Sequence, residues 1–332
     1  MLKFNESQML EKGKLVLKLK EEIEKIADEI SLDGYSNIFF TASGGSVALM
    51  QPFEYLMQTK SSIPAYLSIS AELLKTGHKQ LNSNSIAILF SKSGDTTETI
   101  EAVKYLNDLG VRTIGISGLP DTPLAQLAKY PIVYNDGRPQ EMMLYYLVGR
   151  LLHNNGEFPD YEQFTEELKL LPNALNEVRK QADQKALAYA EKYQNDPYQI
   201  WVGSGNMWGI TYIYSMCVLE ESQWLRTKSV SSPEFFHGTL ELVEEDVCVT
   251  LLKTEGETRP LDERVEQFAS KYTNNFNVFD TKDYELHGIS DKFRPLFAPP
   301  VMWAVLGRVS VHLENIRNHS LDKRRYYRVV SY

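Results

Sequence analysis

The chain repeats one local order, in which a short apolar segment runs directly into small residues and then into a helical pattern. In the first half this order occurs at residues 37–46, 85–99 and 112–130. The strand segments are apolar throughout, which predicts strands covered on both faces, and their alternation with helices predicts a parallel sheet. The order restarts at residues 198–205, so the second half is predicted to repeat the first.

A length of 332 residues is about twice the usual size of a single domain, which favours two domains. We predict an α/β fold in which each domain is a parallel sheet with helices on both faces. The first domain covers residues 1–155 and includes an amphipathic leading helix over residues 7–31. A polar helical connector over residues 156–195 leads to the second domain, residues 196–332, whose last helix is predicted from Pro300 to Ile316.

Charge and cysteine content exclude several classes of protein. The 35 basic and 44 acidic residues give a net charge of −9, and no basic run exceeds residues 323–325, so a nucleic-acid partner is not expected. Cys217 and Cys248 lie in apolar runs, which is typical of buried cysteines rather than of disulfides or metal sites. No stretch has the apolar length of a signal peptide or a membrane span. We therefore expect a soluble cytoplasmic protein without a membrane, metal or cofactor partner.

Hydroxyl side chains are concentrated where the second predicted strand ends. Five occur within nine residues, namely Ser91, Ser93, Thr96, Thr97 and Thr99. A strand that runs into such a turn and then into a helix presents N–H groups and the positive end of the helix dipole, which favour an anion. Composition alone is explained about equally well by an ordinary capping turn. The small residues 43–46, at the matching place one unit earlier, favour a shared phosphate site.

The loops lack the sequence patterns of nucleotide-binding sites. The P-loop pattern is absent, and Gly203-Ser204-Gly205 has the wrong spacing for a dinucleotide fingerprint. A hydroxyl-rich loop of this kind fits a sugar phosphate better. The predicted phosphate ligands are Ser46, Ser91, Lys92, Ser93 and Thr96, with Ser43 and Gly45 as further candidate substrate contacts. For Lys92 a solvated surface lysine is the alternative.

Two residues stand out as candidate acid and base groups. Glu221 lies near the end of an otherwise apolar helical segment, where a carboxylate is more often a surface residue than a catalyst. His237 differs from the other histidines because it follows two phenylalanines and precedes Gly238, downstream of the helix breaker Pro233. Taken singly, neither residue identifies a reaction.

Together these features resemble the sugar isomerase (SIS) family, whose members pair two flavodoxin-like domains. Residues 91–99 are similar to the family's phosphate loop, S-x-S-G-x-T, and the separation of Glu221 and His237, 237 − 221 = 16, resembles that of its catalytic glutamate and histidine. Within the family, LEESQWL, PEFFHGTLELVE, GETRPLDER and LDKRRYYRVVSY resemble the fructosamine 6-phosphate deglycases. Enzymes for fructoselysine 6-phosphate and for glucoselysine 6-phosphate share this layout.

The chain also departs from the family at several positions. Pro233 stands where many members have glycine, and Thr239 stands where they have proline. The glucosamine 6-phosphate synthases begin with a glutaminase domain and end in a lysine motif. This chain has no cysteine directly after Met1, and its tail carries Arg325-Tyr326-Tyr327-Arg328 instead of that motif. Both differences argue against a glutamine-using synthase, and Arg325 becomes a candidate substrate contact.

The resemblance implies a deglycase of carbohydrate metabolism that turns a 6-phosphorylated Amadori compound, or its glucosamine-type counterpart, and water into glucose 6-phosphate and a free amino acid. It implies that Glu221 moves a proton between C1 and C2. It also implies that His237 opens the sugar ring from a neighbouring subunit, which requires a homodimer or a higher oligomer with shared active sites. The alternatives are an aldose–ketose isomerase, which needs the same base and loop, and a non-catalytic sugar-phosphate sensor. The sensor is disfavoured because no helix-turn-helix segment precedes the first strand.

Overall fold

The computed structural model describes residues 1–331, which fold into two compact units. The N-terminal unit runs from Glu6 to Pro172. The C-terminal unit contains the chain from Asn173 onward together with Met1–Asn5. Each unit is built around one parallel sheet with helices on both faces, which confirms the predicted α/β fold class.

Five parallel strands form the sheet of the N-terminal unit, in the order β2-β1-β3-β4-β5. They are β1 (Asn37–Ala42), β2 (Ala65–Ile69), β3 (Ser85–Ser91), β4 (Arg112–Ser117) and β5 (Tyr130–Val133). The helices are α1 (Glu6–Leu17), α2 (Lys20–Asp33), α3 (Gly45–Lys60), α4 (Ser70–Thr76), α5 (Thr97–Asp108), α6 (Pro123–Leu127), α7 (Glu141–Asn154) and α8 (Tyr161–Leu168). This is the flavodoxin-like order, with β2 and β3 on opposite sides of β1.

Helices cover both faces of this sheet because alternate residues of each strand point to opposite sides. On one side, Phe39 and Leu89 pack with Val103 of α5 and with residues of α4 and α6. On the other side, α7 packs on α2 and α3, and the rings of Tyr145 and Phe53 meet edge to face at 4.8 Å between centroids. Every residue of β1 and β3 is buried, as their apolar sequences predict.

Four parallel strands form the sheet of the C-terminal unit, in the order β7-β6-β8-β9. They are β6 (Gln199–Gly203), β7 (Thr227–Ser231), β8 (Cys248–Lys253) and β9 (Phe276–Asp280). The helices are α9 (Leu171–Tyr193), α10 (Trp208–Ile213), a π-helix (Tyr214–Glu220), α11 (Glu221–Gln223), α12 (Ser232–Phe235), α13 (Arg259–Tyr272) and α14 (Arg294–Ile316). Short 3₁₀ turns occur at Gly205–Met207, Thr239–Leu242 and Thr281–Asp283.

The second sheet repeats the strand order of the first. β6 lies between β7 and β8, just as β1 lies between β2 and β3, which supports the predicted internal duplication. Ile200 and Val202 face one side, where Phe235 of α12 and Val265 of α13 join their core cluster. Trp201, which alternates with them along β6, packs against helices on the other side of the sheet.

The single leading helix predicted over residues 7–31 is wrong. The structure has two helices there, α1 and α2, separated at Lys18 and Leu19. The Leu19 N–H donates to the carbonyl oxygen of Val16, three residues back, so the chain tightens and α1 ends. The apolar spacing concealed this break because Val16 and Ile23, on either side of it, are both fully buried.

Sequence analysis missed β2 and β7, the edge strands at equivalent positions of the two sheets. No residue of β2 is fully buried, and Val230 is the one buried residue of β7. An edge strand pairs on one side only, so its sequence can remain polar. The letters Thr-Lys-Ser of β7 therefore do not stand out as a strand.

The last helix, α14, begins at Arg294 rather than at the predicted Pro300. Pro295 lies in its first turn, where the missing N–H would have had no partner within the helix. By length and composition alone α14 could span a membrane, but 78% of its most apolar 18-residue window is buried within the protein. Burial of this extent is typical of an inner helix of a folded unit.

The structure divides the chain inside the predicted connector of residues 156–195. In α8, the Tyr161 hydroxyl donates to Glu24 Oε1 at 2.8 Å, which ties this helix to the N-terminal unit. In α9, the Tyr189 hydroxyl lies 2.9 Å from Thr250 Oγ1 of β8. The first residues of the chain group with the C-terminal unit because the guanidinium of Arg308 donates to the carbonyl oxygen of Leu2 at 2.8 Å.

Candidate active site

The carboxyl ends of β1 and β3 form the switch point of the N-terminal sheet, since the chain leaves these neighbouring strands toward opposite faces. Ligands of open α/β sheets bind in the crevice outside such a point. Two short loops border it, residues 43–44 before α3 and residues 92–96 before α5. These loops and the residues next to them carry every predicted phosphate ligand, so the structure brings those residues to one edge of one unit.

The loop after β3 is held in shape from within. Ser91 is buried, and its hydroxyl lies 3.0 Å from Thr96 Oγ1 and accepts a hydrogen bond from the Gly94 N–H at 3.0 Å. Gly94 has a φ of +69°, and a Cβ atom there would lie 2.4 Å from the side chain of Thr122. Only glycine fits, and Ser91 is engaged in shaping the loop.

The outer part of the same loop offers hydrogen-bond donors. Thr96 immediately precedes α5, but its side chain makes no capping hydrogen bond to that helix. Ser93 and Thr96 are half-buried, and Lys92 is exposed. The first turn of a helix carries N–H groups without helical partners and a partial positive charge. Hydroxyls, N–H groups and a lysine therefore occur together, a set suited to phosphate.

The loop after β1 adds small residues at the same switch point. Gly44 has a φ of +56°, which glycine adopts without strain, and it directs the chain into α3. Ser46 lies in the first turn of α3, where its N–H donates to the carbonyl oxygen of Ser43 at 3.2 Å. The Ser43 hydroxyl is buried and has no hydrogen-bond partner within residues 1–331. Gly45, the first residue of α3, has no side chain that could obstruct this crevice.

The C-terminal unit has an equivalent switch point between β6 and β8. Ser204 and Gly205 follow β6 as Ser43 and Gly44 follow β1, and Gly205 has a φ of +54°. Five residues separate β8 from α13, as five separate β3 from α5. Both loops read Gly, acidic residue, Thr in their last three positions, at 94–96 and at 256–258. Sequence analysis overlooked this repeated pattern, although it is visible once the two strands are aligned.

A carboxylate of the protein fills this second switch point. Asp262 of α13 is fully buried and accepts hydrogen bonds from the hydroxyls of Ser204 and Ser232, both at 2.6 Å. It also accepts one from the Thr254 N–H at 3.2 Å. Burial raises the pKa of the Asp262 carboxyl above its usual range, although these hydrogen bonds act against the shift. Three donors at this point are therefore already bound to a carboxylate of the protein.

Beside this point, the loop after β8 lines a pocket of about 760 Å³. The pocket is polar and its lining includes Glu255, Lys282, Tyr284, Asp291 and Arg294. Glu255 occupies the loop position of Ser93 and accepts two hydrogen bonds from the guanidinium of Arg294, at 2.8 and 2.9 Å. A carboxylate thus stands where the first unit has a hydroxyl.

Glu221 begins α11, directly after the π-helix of Tyr214–Glu220. A π-helical segment is rare and is often found at functional sites. Its Tyr214 packs on Trp201 with ring centroids 5.1 Å apart, so the segment covers the Trp201 face of the sheet. The Glu221 carboxylate is partly exposed and forms an ion pair with Arg324, whose Nε lies 2.8 Å from Oε1.

His237 lies beyond α12 with an exposed side chain. Its neighbour Phe235 packs with Ile200 and Val202, on the face of the sheet opposite Trp201. Glu221 and His237 therefore belong to segments that cover opposite faces, and the structure does not bring them together from the same side of the sheet. The fifteen residues between them include all of the edge strand β7.

The C-terminal tail reaches the surroundings of Glu221. The guanidinium of Arg325, a predicted substrate contact, lies over the Trp224 ring at 4.1 Å from its centroid. Sequence analysis missed the neighbouring Arg324, which is the residue that contacts Glu221. The run Lys323-Arg324-Arg325 was noted only for its charge, and nothing in the local sequence distinguishes its middle residue.

Comparisons with known proteins agree with this architecture. A sequence model of the SIS domain family matches residues 32–149. Fructosamine deglycase FrlB of Bacillus subtilis is 33% identical, over 95% of this chain and 98% of that protein. Fructoselysine 6-phosphate deglycase of Escherichia coli is 26% identical, over 92% of this chain and 89% of that protein.

A solved structure shows the same fold over nearly its whole length. It is the structure of a Bacillus subtilis protein described as a phosphosugar isomerase, with a TM-score of 0.91 and 31% identity. The match covers 96% of this chain and 99% of that one. Both sheets, the switch-point loops and the helices therefore have counterparts in a protein of the same size, and the chain belongs to the SIS domain family.

Proposed function

We propose that the protein is a deglycase that converts a 6-phosphorylated fructosamine and water into glucose 6-phosphate and a free amino acid. The observation that carries this proposal is the similarity to fructosamine deglycases along nearly the entire chain, including both units. Fructoselysine 6-phosphate or glucoselysine 6-phosphate is the proposed substrate, with lysine as the amine released. The switch-point loop and Glu221 supply the two functions that such a reaction needs, phosphate binding and proton transfer.

The loop after β3 is proposed to hold the substrate's phosphate. Ser93 and Thr96 would donate hydrogen bonds to its oxygens, together with Ser46 and the N–H groups at the start of α5. Ser91 keeps the loop in shape through Thr96 and Gly94. A hydrogen bond to a charged group contributes about 1.5–3 kcal/mol, so a few of them would anchor a phosphorylated sugar.

Glu221 is proposed to carry out the central proton transfer. The ketoamine must lose a proton at C1 and gain one at C2, which moves the double bond and gives an aldimine at C1. Water then adds to the aldimine carbon, and the C–N bond breaks to release the amine and leave the aldehyde of glucose 6-phosphate. One carboxylate can serve both carbons because they are adjacent.

His237 is proposed to open the sugar ring by moving a proton between the ring oxygen and the hydroxyl. Imidazole suits this step because it exchanges protons near pH 7. Its segment and that of Glu221 cover opposite faces of the sheet, which supports a His237 supplied by the partner subunit of a homodimer. Such a site requires two chains.

The test is incubation of the purified protein with fructoselysine 6-phosphate, glucoselysine 6-phosphate and unphosphorylated fructoselysine. We expect glucose 6-phosphate and free lysine in equal amounts from a phosphorylated conjugate, and almost none from the unphosphorylated one. The likeness to a phosphosugar isomerase favours a second candidate, a plain aldose–ketose isomerase. That enzyme would interconvert glucose 6-phosphate and fructose 6-phosphate without releasing an amine, which would contradict the deglycase proposal.

Subunit mixing tests the shared site. Glu221→Gln and His237→Ala are each expected to be inactive. After subunit exchange, half of the dimers are mixed, and each mixed dimer has one intact site, so about a quarter of the native activity should return. Verified exchange without any recovery would place both residues in one chain's site or remove His237 from it.

A further inference from the structure

We infer that Arg324 is a positioning residue for Glu221, and that the C-terminal tail exists in part to deliver it. The inference rests on the proposed role of Glu221. It adds a residue from the far end of the chain, about a hundred positions away in sequence, to the machinery of proton transfer. Its basis is the set of contacts that three consecutive cations, Lys323, Arg324 and Arg325, make around α11.

The guanidinium of Arg324 is held on more than one side. Its Nε forms an ion pair with the Glu221 carboxylate, at 2.8 Å from Oε1. Its Nη1 donates to the carbonyl oxygens of Leu321 at 2.7 Å and Lys323 at 3.0 Å, both in the tail itself. The planar group is therefore fixed in orientation before it meets the carboxylate. An ion pair with a guanidinium of fixed orientation restricts the rotation of the Glu221 side chain, which would otherwise sample several rotamers.

The two cations on either side of Arg324 both contact Trp224. Arg325 lies over the ring at 4.1 Å and Lys323 at 5.0 Å from its centroid. His319 meets the same ring edge to face at 4.4 Å. Cations over an indole ring are attracted by its quadrupole, and tryptophan is the best partner for them. We call Trp224 with Lys323 and Arg325 the tryptophan clamp.

The backbone of Trp224 is in an unusual conformation. Its φ of +56° is in the left-handed region, which is unfavourable for a residue with a Cβ atom. The turn ends α11 through a hydrogen bond from the Leu225 N–H to the carbonyl oxygen of Leu219. Glycine would form this turn without strain. The ring explains why a tryptophan is found there, since Lys323 and Arg325 both contact it. Trp224 lies three residues after Glu221, so these contacts hold the tail close to the carboxylate.

A second tether fixes the beginning of the tail. Gln223 is fully buried, and its amide donates to the carbonyl oxygen of His319 at 2.8 Å. Arg317 in turn donates to the carbonyl oxygen of Gln223 at 3.2 Å. Gln223, the last residue of α11, and Trp224, which follows it, thus contact the tail at separate points. Arg324 reaches Glu221 from this anchored segment.

These contacts give Arg324 a role in proton transfer. Glu221 must present one oxygen first to C1 and then to C2 of the substrate, and a misplacement of about 1 Å can cost about 10²-fold in rate. Because Arg324 is paired with Oε1, we expect it to hold the carboxylate in the one orientation that proton transfer needs. The phosphate is bound by other residues, so substrate affinity should not depend on Arg324.

The experiment measures kcat and KM for Arg324→Gln, Arg324→Lys and the control Arg328→Gln, which removes the same charge from the same tail. We expect Arg324→Gln to lower kcat about 10- to 100-fold with little change in KM. Arg324→Lys should be intermediate, because lysine keeps the charge and loses the planar geometry. Arg328→Gln should resemble the parent protein.

Two further measurements separate positioning from a merely structural role. Added guanidinium ion should restore part of kcat to Arg324→Ala and none to the parent protein. Trp224→Gly keeps a turn that glycine favours and removes only the ring, so it should reproduce part of the loss in kcat while the protein stays folded by circular dichroism.

The inference is overturned if Arg324→Gln keeps the parent kcat, or if it raises KM by the same factor by which it lowers kcat. Failure of guanidinium to restore activity to a folded Arg324→Ala protein also contradicts it. Glu221→Gln distinguishes this failure from that of the proposed function. An inactive Glu221→Gln with a normal Arg324→Gln refutes only the role of Arg324, whereas an active Glu221→Gln refutes the proposed catalyst itself.

Discussion

The two switch points of the molecule differ in what occupies them. In the N-terminal unit, the loop after β3 ends in Gly94, Asp95 and Thr96, and the neighbouring loop holds the buried hydroxyl of Ser43, which has no hydrogen-bond partner among the described residues 1–331. In the C-terminal unit, the matching loop ends in Gly256, Glu257 and Thr258, but the carboxylate of Asp262 accepts hydrogen bonds from the Thr254 N–H of that loop and from the Ser204 hydroxyl after β6.

A duplicated fold can thus keep its geometry in both copies while the proposed phosphate site is confined to one of them. A buried carboxylate with three donors meets the same requirements as an external anion, so it stabilises the loops without a ligand. The C-terminal unit carries instead Glu221, the residue proposed for proton transfer. Strand order alone would have predicted two anion sites, whereas the side chains predict one.

The largest expected effect comes from the chemistry of the C-terminal unit. Glu221→Gln keeps the shape of the side chain and removes its ability to accept a proton, so turnover should fall by a factor of about 10² to 10⁴. Glu220→Gln is the matched control, since the carboxylate of Glu220 accepts a hydrogen bond from Thr227 instead. The measurement is kcat for both variants by steady-state kinetics. A loss of kcat of less than about tenfold for Glu221→Gln would contradict its proposed role in proton transfer.

The next effect separates the two switch points directly. Ser93→Ala with Thr96→Ala removes two hydroxyls from the first loop and should raise the KM for a phosphorylated substrate at least about tenfold. Thr258→Ala removes the equivalent hydroxyl of the second loop and should leave KM unchanged. Equal changes in KM from substitutions in the two loops would contradict the proposed difference between the two switch points.

A smaller effect concerns stability and pH. The folded pKa of Asp262 is raised, so the folded protein binds this proton more tightly than the unfolded chain. The protein should therefore gain stability as the pH falls from the raised pKa toward the ordinary aspartate range, and lose that gain as the pH rises. Asp262→Asn should remove this contribution, measured as unfolding midpoints across the range. An unchanged pH dependence in the variant would show that Asp262 is not its source.

The sequence predicted the interior of the fold better than its edges. The inner strands are apolar because helices cover both of their faces, as in β1, β3, β6 and β8. The edge strands β2 and β7 pair with a neighbouring strand along one edge only, and their sequences are mixed. The break between α1 and α2 was hidden for a related reason, because the buried positions continue across it. Local patterns report burial, so they are less informative where burial is partial, although the half-buried edge strand β9 was predicted.

The candidate site was predictable only where its residues are close in sequence. The hydroxyls of residues 91–99 form a local pattern, and Glu221 was identified by resemblance. Arg324 and Asp262 act through partners that are distant in sequence, at positions 221 and 204 among others. Neither contact leaves a periodic or spaced signal, so the folded structure was needed to find them.

The most direct test of the difference between the switch points is the number of phosphate sites in one chain. Calorimetric titration of the Glu221→Gln protein with its phosphorylated substrate would count them without turnover. The account predicts one site per chain, weakened in a protein that also carries Thr96→Ala and unaffected by Thr258→Ala. Two sites per chain, or binding that depends on Thr258 and not on Thr96, would contradict it.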